Sequence, residues 1–317
     1  MQAMETASGP VWPPPPQEPR IQFLRSISGP ADMGIKKSWL QRTVDDLFGA
    51  RERGAMLRPY SVFADNERIY VADPGISALH IFHPSRKDYS LIRTFRKEML
   101  ISPIGVAADA DSVYLTDSFL KKVFVFDKEG KPRKMLGTPE LFIRPTGIAA
   151  DGDRVYVVDT YGHRVFVFAK KEGELLFHFG KNGRGHGEFH YPTNIAAGKD
   201  GLLYITDSLN FRIQIFGREG NFLSAFGRHG DASGDLSKPK GIAVDSEGHI
   251  YVADADFDNI QIFDRNGSLL LVFGKTGRGN GEMVLPSGVF IDHMDRIYVA
   301  DSYNNRIQIF QYMKAKQ

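Results

Sequence analysis

Nine histidines and one run of three aspartates are the residues of this chain with the widest chemical reach. The histidines are His80, His83, His163, His178, His186, His190, His229, His249 and His293. A zinc site needs three or four ligands at one point. No H-E-x-x-H pair exists, and only His186 and His190 stand four apart, in a segment that reads as loop followed by strand. Asp254, Asp256 and Asp258 imitate the start of a calcium loop. The sixth position, however, is Asn259 instead of the turn glycine, and the twelfth is Arg265 instead of a bidentate glutamate. Zinc and calcium are therefore the only cofactors left open, and none is expected. The absence of cysteine removes thiolate catalysis, disulfides and every Cys-based metal site. There is also no G-x-S-x-G elbow to expose a nucleophilic serine.

Two recurring patterns remain. Three glycine-rich loops, Phe179–Phe189, Phe226–Leu236 and Phe273–Met283, superficially resemble phosphate cradles. Strands are expected on both flanks of each, whereas a dinucleotide loop opens a helix; bends between strands explain these glycines better. The second pattern is an aspartate followed five residues later by a basic residue: Asp117 with Lys122, Asp159 with Arg164, Asp207 with Arg212, and Asp301 with Arg306. Catalytic sets are asymmetric, so a pair that recurs is expected to be architectural, joining a carboxylate and a cation across a hairpin.

These residues sit in a repeat. Six segments, each following a proline (Pro59, Pro103, Pro145, Pro192, Pro239, Pro286), end in an aspartate after a Tyr-containing apolar run, as in KGIAVDSEGHIYVAD at 240–254. The prolines are spaced 44, 42, 47, 47 and 47 residues apart. One period contains four short apolar or alternating runs separated by turn residues, which predicts four antiparallel strands. A small sheet with two apolar faces must stack on others, and radial closure leaves only short edges. The fold class is thus all-β: a six-bladed β-propeller of four-stranded antiparallel blades.

The sixth copy has only seven residues after its third strand, RIQIF at 306–310. Residues 20–29, with the strand-like run RIQFLRSIS, are expected to supply the missing strand and close the ring. The remaining divisions are a proline-rich flexible leader over 1–19 with no means of entering a sheet, a connection over 30–58, the propeller over 59–310 and a tail over 311–317. Trp39, Val44, Leu47 and Phe48 predict a short helix within the connection.

The 40 Lys and Arg against 38 Asp and Glu leave a net charge of +2, which gives no bulk attraction to polyanions, so nucleic acid is an unfavoured partner. No apolar run reaches the roughly 18–20 residues of a membrane helix, so no transmembrane segment is expected and the chain reads as soluble.

The motif proline, Gly-[Ile/Val]-Ala, Asp, Tyr-[Val/Ile]-[Ala/Thr]-Asp and Asn-x-Arg-Ile-x-x-Phe resembles the NHL repeat. The clearest copies span 192–216, 239–263 and 286–310. The likeness implies a propeller from about 20 to 310. It admits protein binding, RNA binding and, in related propellers, metal-assisted lyase or hydrolase chemistry at the central mouth. The isolated propeller behind a proline-rich leader is most similar to bacterial cell-envelope NHL proteins. That implies periplasm or envelope if an export signal has been trimmed, and cytoplasm otherwise. A noncatalytic scaffold engaging an unidentified protein or peptide through its rim loops is the leading expectation. The metal-assisted lyase or hydrolase is second and RNA binding third. Rim candidates are Arg184, His186, Arg228, His229, Arg278 and Asn280, with Tyr161, Phe211, Phe257 and Tyr303 as an aromatic patch two to four residues after the repeat aspartates.

Overall fold

The computed structural model describes residues 9–35, 54–138 and 140–314. Five four-stranded antiparallel sheets and one five-stranded sheet form six blades. Blade 4 is typical: Pro192–Ala197 lies innermost, followed outward by Leu203–Asp207, Arg212–Phe216 and Phe222–Phe226. The entrance proline begins the inner strand, where a missing N–H costs no ladder bond. Gly220 makes the turn to the outer strand at φ +79°, which suits glycine.

The core is divided into six apolar clusters, one at each seam between neighbouring blades. This follows from the sequence pattern, because second and third strands are buried on both faces and need a partner blade on each side. The second-strand tyrosines fill these seams, and four of their hydroxyls find carboxylate acceptors, while the buried Tyr156 hydroxyl has no partner among the described residues. Tyr114, Tyr204, Tyr251 and Tyr298 donate to Asp109, Asp200, Asp245 and Asp292 at 2.8–3.2 Å. Each aspartate sits in the turn between first and second strands.

Blade 6 closes the ring. Pro286–Ile291, Arg296–Asp301 and Arg306–Tyr312 are completed by Ile21–Ile27, whose Phe23 and Ile27 face Phe310 and Ile307 in the register. The proline-rich segment departs from the expectation that it stays outside the sheet. Val11–Trp12 adds a fifth strand against Ile21 and Gln22. The physical reason is Trp12, whose indole packs 5.8 Å from Phe273 of blade 5 and 5.9 Å from Phe310 of blade 6, bridging their seam. Gly281 leaves room for that ring, since a Cβ there would strike it. The helix expected around Trp39 lies outside the described residues. No described helix is long and apolar enough to cross a membrane.

Candidate functional site

The six aspartates that end the second strands, Asp73, Asp117, Asp159, Asp207, Asp254 and Asp301, are all fully buried. Each accepts backbone N–H groups from the segment entering its own blade. Asp159 takes Ile143 and Arg144 at 3.0 and 2.7 Å, and Asp254 takes Ser237 and Lys238 at 2.8 and 2.9 Å. Asp207 takes His190 at 2.6 Å and Asp301 takes Val284 at 2.8 Å. These carboxylates are clamps on the incoming loops, and their burial and saturation withhold them from chemistry.

The expected basic partners divide. Arg212 and Arg306 donate Nε to Asp207 and Asp301 at 2.8 Å, and their outer nitrogens hold the carbonyls of the preceding glycine-rich loop. Lys122 instead turns to Glu98, because Ile101, Ser102, Phe119 and Leu120 already occupy Asp117. Arg164 lies over the Phe166 ring at 5.1 Å, with Asp159 satisfied by backbone. Spacing alone does not report whether backbone has reached the carboxylate first.

The glycine loops are filled by the chain itself. Glu188 and Glu282 accept the N–H of Gly185 and Gly279 at 2.9 Å, and Asp235 accepts from Ala232 at 3.2 Å and from Arg228 at 2.5 Å. An internal carboxylate thus occupies the place an anion would take. The outer loops leave Arg184, His186, Arg228, His229, Arg278 and Asn280 exposed. His186 stacks on Phe222 at 4.6 Å, and His229 lies 4.2 Å from Phe211.

The metal candidates disperse. His186 and His190 turn to different rings, with His190 stacked on His163. Asp254 holds backbone, Asp256 meets Lys238 at 3.4 Å, and Asp258 accepts the N–H of Leu285 at 2.7 Å. Among the described residues no three His, Cys, Asp or Glu converge as metal ligands. The axial channel, a cavity of about 120 Å³, is lined by all six inner strands. Among the described residues its walls are Val, Ile, Ala and Phe, with Ser61 and Asn194 the polar side chains and no ionisable group. The metal-assisted site expected at the central mouth does not fit these channel residues.

A different constellation crowns the end of the ring where the prolines enter. Four residues two positions after a clamp aspartate are large, apolar and open to solvent: Phe119 is 71% exposed, Tyr161 47%, Leu209 45% and Tyr303 53%. Phe211 and Phe257 are half-buried and stand apart from this set, since only the second position after the aspartate falls at the apex of the turn. Cations lie against the crown. Arg144 covers the Tyr161 ring at 4.8 Å and donates to its hydroxyl at 2.8 Å, and Arg58 covers Tyr303 at 5.2 Å. Inside them, Lys240 of blade 5 reaches 5.7 Å from the ring of Tyr60 of blade 1. Burial lowers the Lys240 ammonium pKa, Lys238 lowers it further, and Asp256 partly offsets both. Burial raises the Tyr60 phenol, with Arg144 of blade 3 pulling the other way. Side chains from alternate blades therefore converge over the mouth.

Tyr161 and Tyr303 were legible before the structure; Phe119, Leu209, Arg58, Tyr60, Arg144 and Lys240 were missed. The available signal was the residue on either side of each entrance proline, where Arg58, Tyr60, Arg144, Lys238 and Lys240 lie.

Fold and clamp together define a six-bladed β-propeller. The NHL repeat model matches residues 142–168, 189–216, 236–263 and 284–310, one segment within each of blades 3 to 6, so these four blades carry NHL repeats. No curated protein matches it. Virginiamycin B lyase from Staphylococcus aureus is similar in structure, with 15% identity, a TM-score of 0.59 and coverage of 81% of this chain and 96% of that one. A protein of unknown function from Bacteroides thetaiotaomicron gives 14% identity, a TM-score of 0.64 and coverage of 93% and 76%. A chain of a nidogen/laminin complex gives 15% identity, 0.59, and 77% and 86%. At these identities the likeness shows the fold alone.

Proposed function

We propose that this propeller is a noncatalytic binding module that engages a protein or peptide across the crowned, proline-entry face. The observation that carries this reading is the crown itself: exposed Phe119, Tyr161, Leu209 and Tyr303 stand on turns fixed by buried aspartates, around a channel without ionisable walls. Rigid aromatic and apolar contacts of this kind favour association at little entropic cost. Catalysis has no comparable support, because the carboxylates and histidines beneath the face are bonded within the fold. Even the buried Asp73–His80 contact, at 3.4 Å, lies where no substrate reaches.

A random peptide library selected on the immobilised protein tests the reading. Enriched peptides are expected to lose at least tenfold in affinity with the double variant Tyr161→Ala, Tyr303→Ala, and to keep it with Lys171→Ala at the opposite end. Failure to enrich any peptide, or enrichment of peptides indifferent to the crown, would overturn it.

A further inference from the structure

Within the net charge of +2, cations are placed differently at the two ends of the ring. The six turns joining first and second strands, at 65–68, 109–112, 151–153, 198–202, 245–249 and 292–295, carry eleven Asp and Glu against Arg68 and Lys199. Those turns lie at the end away from the prolines, where Lys128, Lys170, Arg218 and Arg265 of the third-to-fourth-strand turns pair with Asp65, Asp109, Asp151 and Asp200. At the proline-entry mouth Arg58, Arg144, Lys238 and Lys240 stand over the buried clamp aspartates, whose oxygens are already taken by donors of the fold, and Asp256 lies 3.4 Å from Lys238. Lys240 has no ion pair among the described residues, and its ammonium is half-buried above an apolar channel. Low-dielectric walls strengthen the field of such a charge.

Resting on the binding reading above, we propose that the mouth holds a carboxylate-recognition subsite: Lys240, with Arg144 and the Tyr60 hydroxyl beside it, receives a carboxylate of the bound peptide. Three features select this chemistry. Lys240 supplies an unpaired cation with up to three donors, and Tyr60 adds an O–H that burial keeps protonated. Lys240 of blade 5 and Arg144 of blade 3 both act on Tyr60 of blade 1, and cations sharing one hydroxyl suit a single anionic group better than a nucleic-acid backbone. One face each of Tyr161 and Tyr303 is already covered by a guanidinium, which reduces the platforms on which single-stranded bases stack. A side-chain carboxylate and a free C-terminus share this chemistry.

Fluorescence anisotropy with three labelled, N-acetylated probes separates the sources: hexaglutamate with an amidated C-terminus, hexaglutamine with a free C-terminus, and hexaglutamine amide. Binding by the first shows side-chain recognition, binding by the second shows terminal recognition, and the third is expected not to bind. Lys240→Met, which retains the aliphatic stem, is expected to weaken the binding probe at least tenfold; Lys240→Arg should retain most of it and Lys171→Ala all of it. Unfolding midpoints of each variant establish that the fold is intact. Equal binding of all three probes, no binding by any, or affinity indifferent to Lys240→Met overturns the subsite. Tighter, Lys240-dependent binding of an oligouridine probe does so too and assigns the mouth to nucleic acid. Library peptides that bind the crown without carboxylate dependence would leave the binding reading standing while removing this one.

Discussion

Blades 4 and 6 secure the same architecture differently from blade 5. In blades 4 and 6 the clamp aspartate receives an arginine, an asparagine and a glutamine besides backbone: Asp207 with Asn210, Arg212 and Gln214, and Asp301 with Asn304, Arg306 and Gln308. Blade 5 has Asn259 where the arginine would be, and backbone N–H groups from Ser237, Lys238 and Asp256 bind Asp254. Its glycine loop is tied by the surface pair Arg228–Asp235, with Gln261 holding the Asp235 carbonyl and the Gly234 N–H. Burial raises the Asp254 pKa, and the surrounding N–H groups counter it only in part. A repeat can thus keep its carboxylate and lose its cation provided backbone takes the load, at the cost of a carboxylate less comfortable in its charged form.

Breaking the arginine-clamped blade should produce the largest effect. Asp301→Ala removes the acceptor of Asn304, Arg306, Gln308 and the Val284 N–H together, leaving a guanidinium that is largely buried without its partner. The expected loss is about 3–5 kcal/mol, the range for one-sided removal of a buried pair. Asn259→Ala in blade 5 is expected to cost less than about 1 kcal/mol, as for a side chain outside any such network. Guanidinium unfolding midpoints measured side by side check the contrast; equal losses would refute the distinction between the blades.

The period, the closure strand and the clamp aspartates were all legible in the sequence because they depend on local pattern: proline, alternation, and an aspartate ending each YVAD-like run. The crown was only half legible. Tyr161 and Tyr303 repeat visibly after Asp159 and Asp301, but Phe119 and Leu209 differ in type, and only turn geometry puts all four at equivalent apices. Lys240 and Tyr60 are 180 residues apart in the chain, and ring closure is what places them over one mouth. Trp12 was misread for a related reason. Six prolines in ten residues speak of a stiff spacer, while the pocket that receives the indole is assembled from Phe273, Gly281 and Phe310.

Installing the missing cation sharpens the comparison at an intermediate scale. Asp254 has a folded pKa above its ordinary value of 3.8, so it binds protons more readily in the folded state and its contribution to stability declines as pH rises through that raised value. Asn259→Arg places a guanidinium where Arg212 and Arg306 stand and should bring the folded pKa below the unfolded one. The sign then reverses, and stability is gained as pH rises through the carboxylate range. The variant is expected to exceed the parent by about 1 kcal/mol at pH 7, the net value of a typical hydrogen bond, with the difference shrinking toward pH 4. Unfolding midpoints at the two pH values provide the measurement; a difference independent of pH would show that the arginine had found another partner.

The smallest effect concerns the seams themselves. The residue after the clamp aspartate donates across the seam to the next blade's entrance proline: Ser118 to Pro145, Thr160 to Pro192, Ser208 to Pro239, and Ser302 to Pro59, at 2.5–2.8 Å. Blade 1 has Pro74 and blade 5 has Ala255 at this position, so the seams of blade 1 with blade 2 and of blade 5 with blade 6 lack that bond. The latter seam is the one Trp12 bridges from outside, which offers a physical compensation for the missing hydroxyl. Ala255→Ser should therefore add about 0.5–1 kcal/mol, the net value of one hydrogen bond, and the gain should be larger when Trp12→Ala has removed the bridge. A double-mutant cycle between positions 12 and 255 measures that coupling. Strict additivity would mean that the inner hydroxyl and the outer indole secure the ring independently; a positive coupling would mean that each relieves the other at the seam between blades 5 and 6.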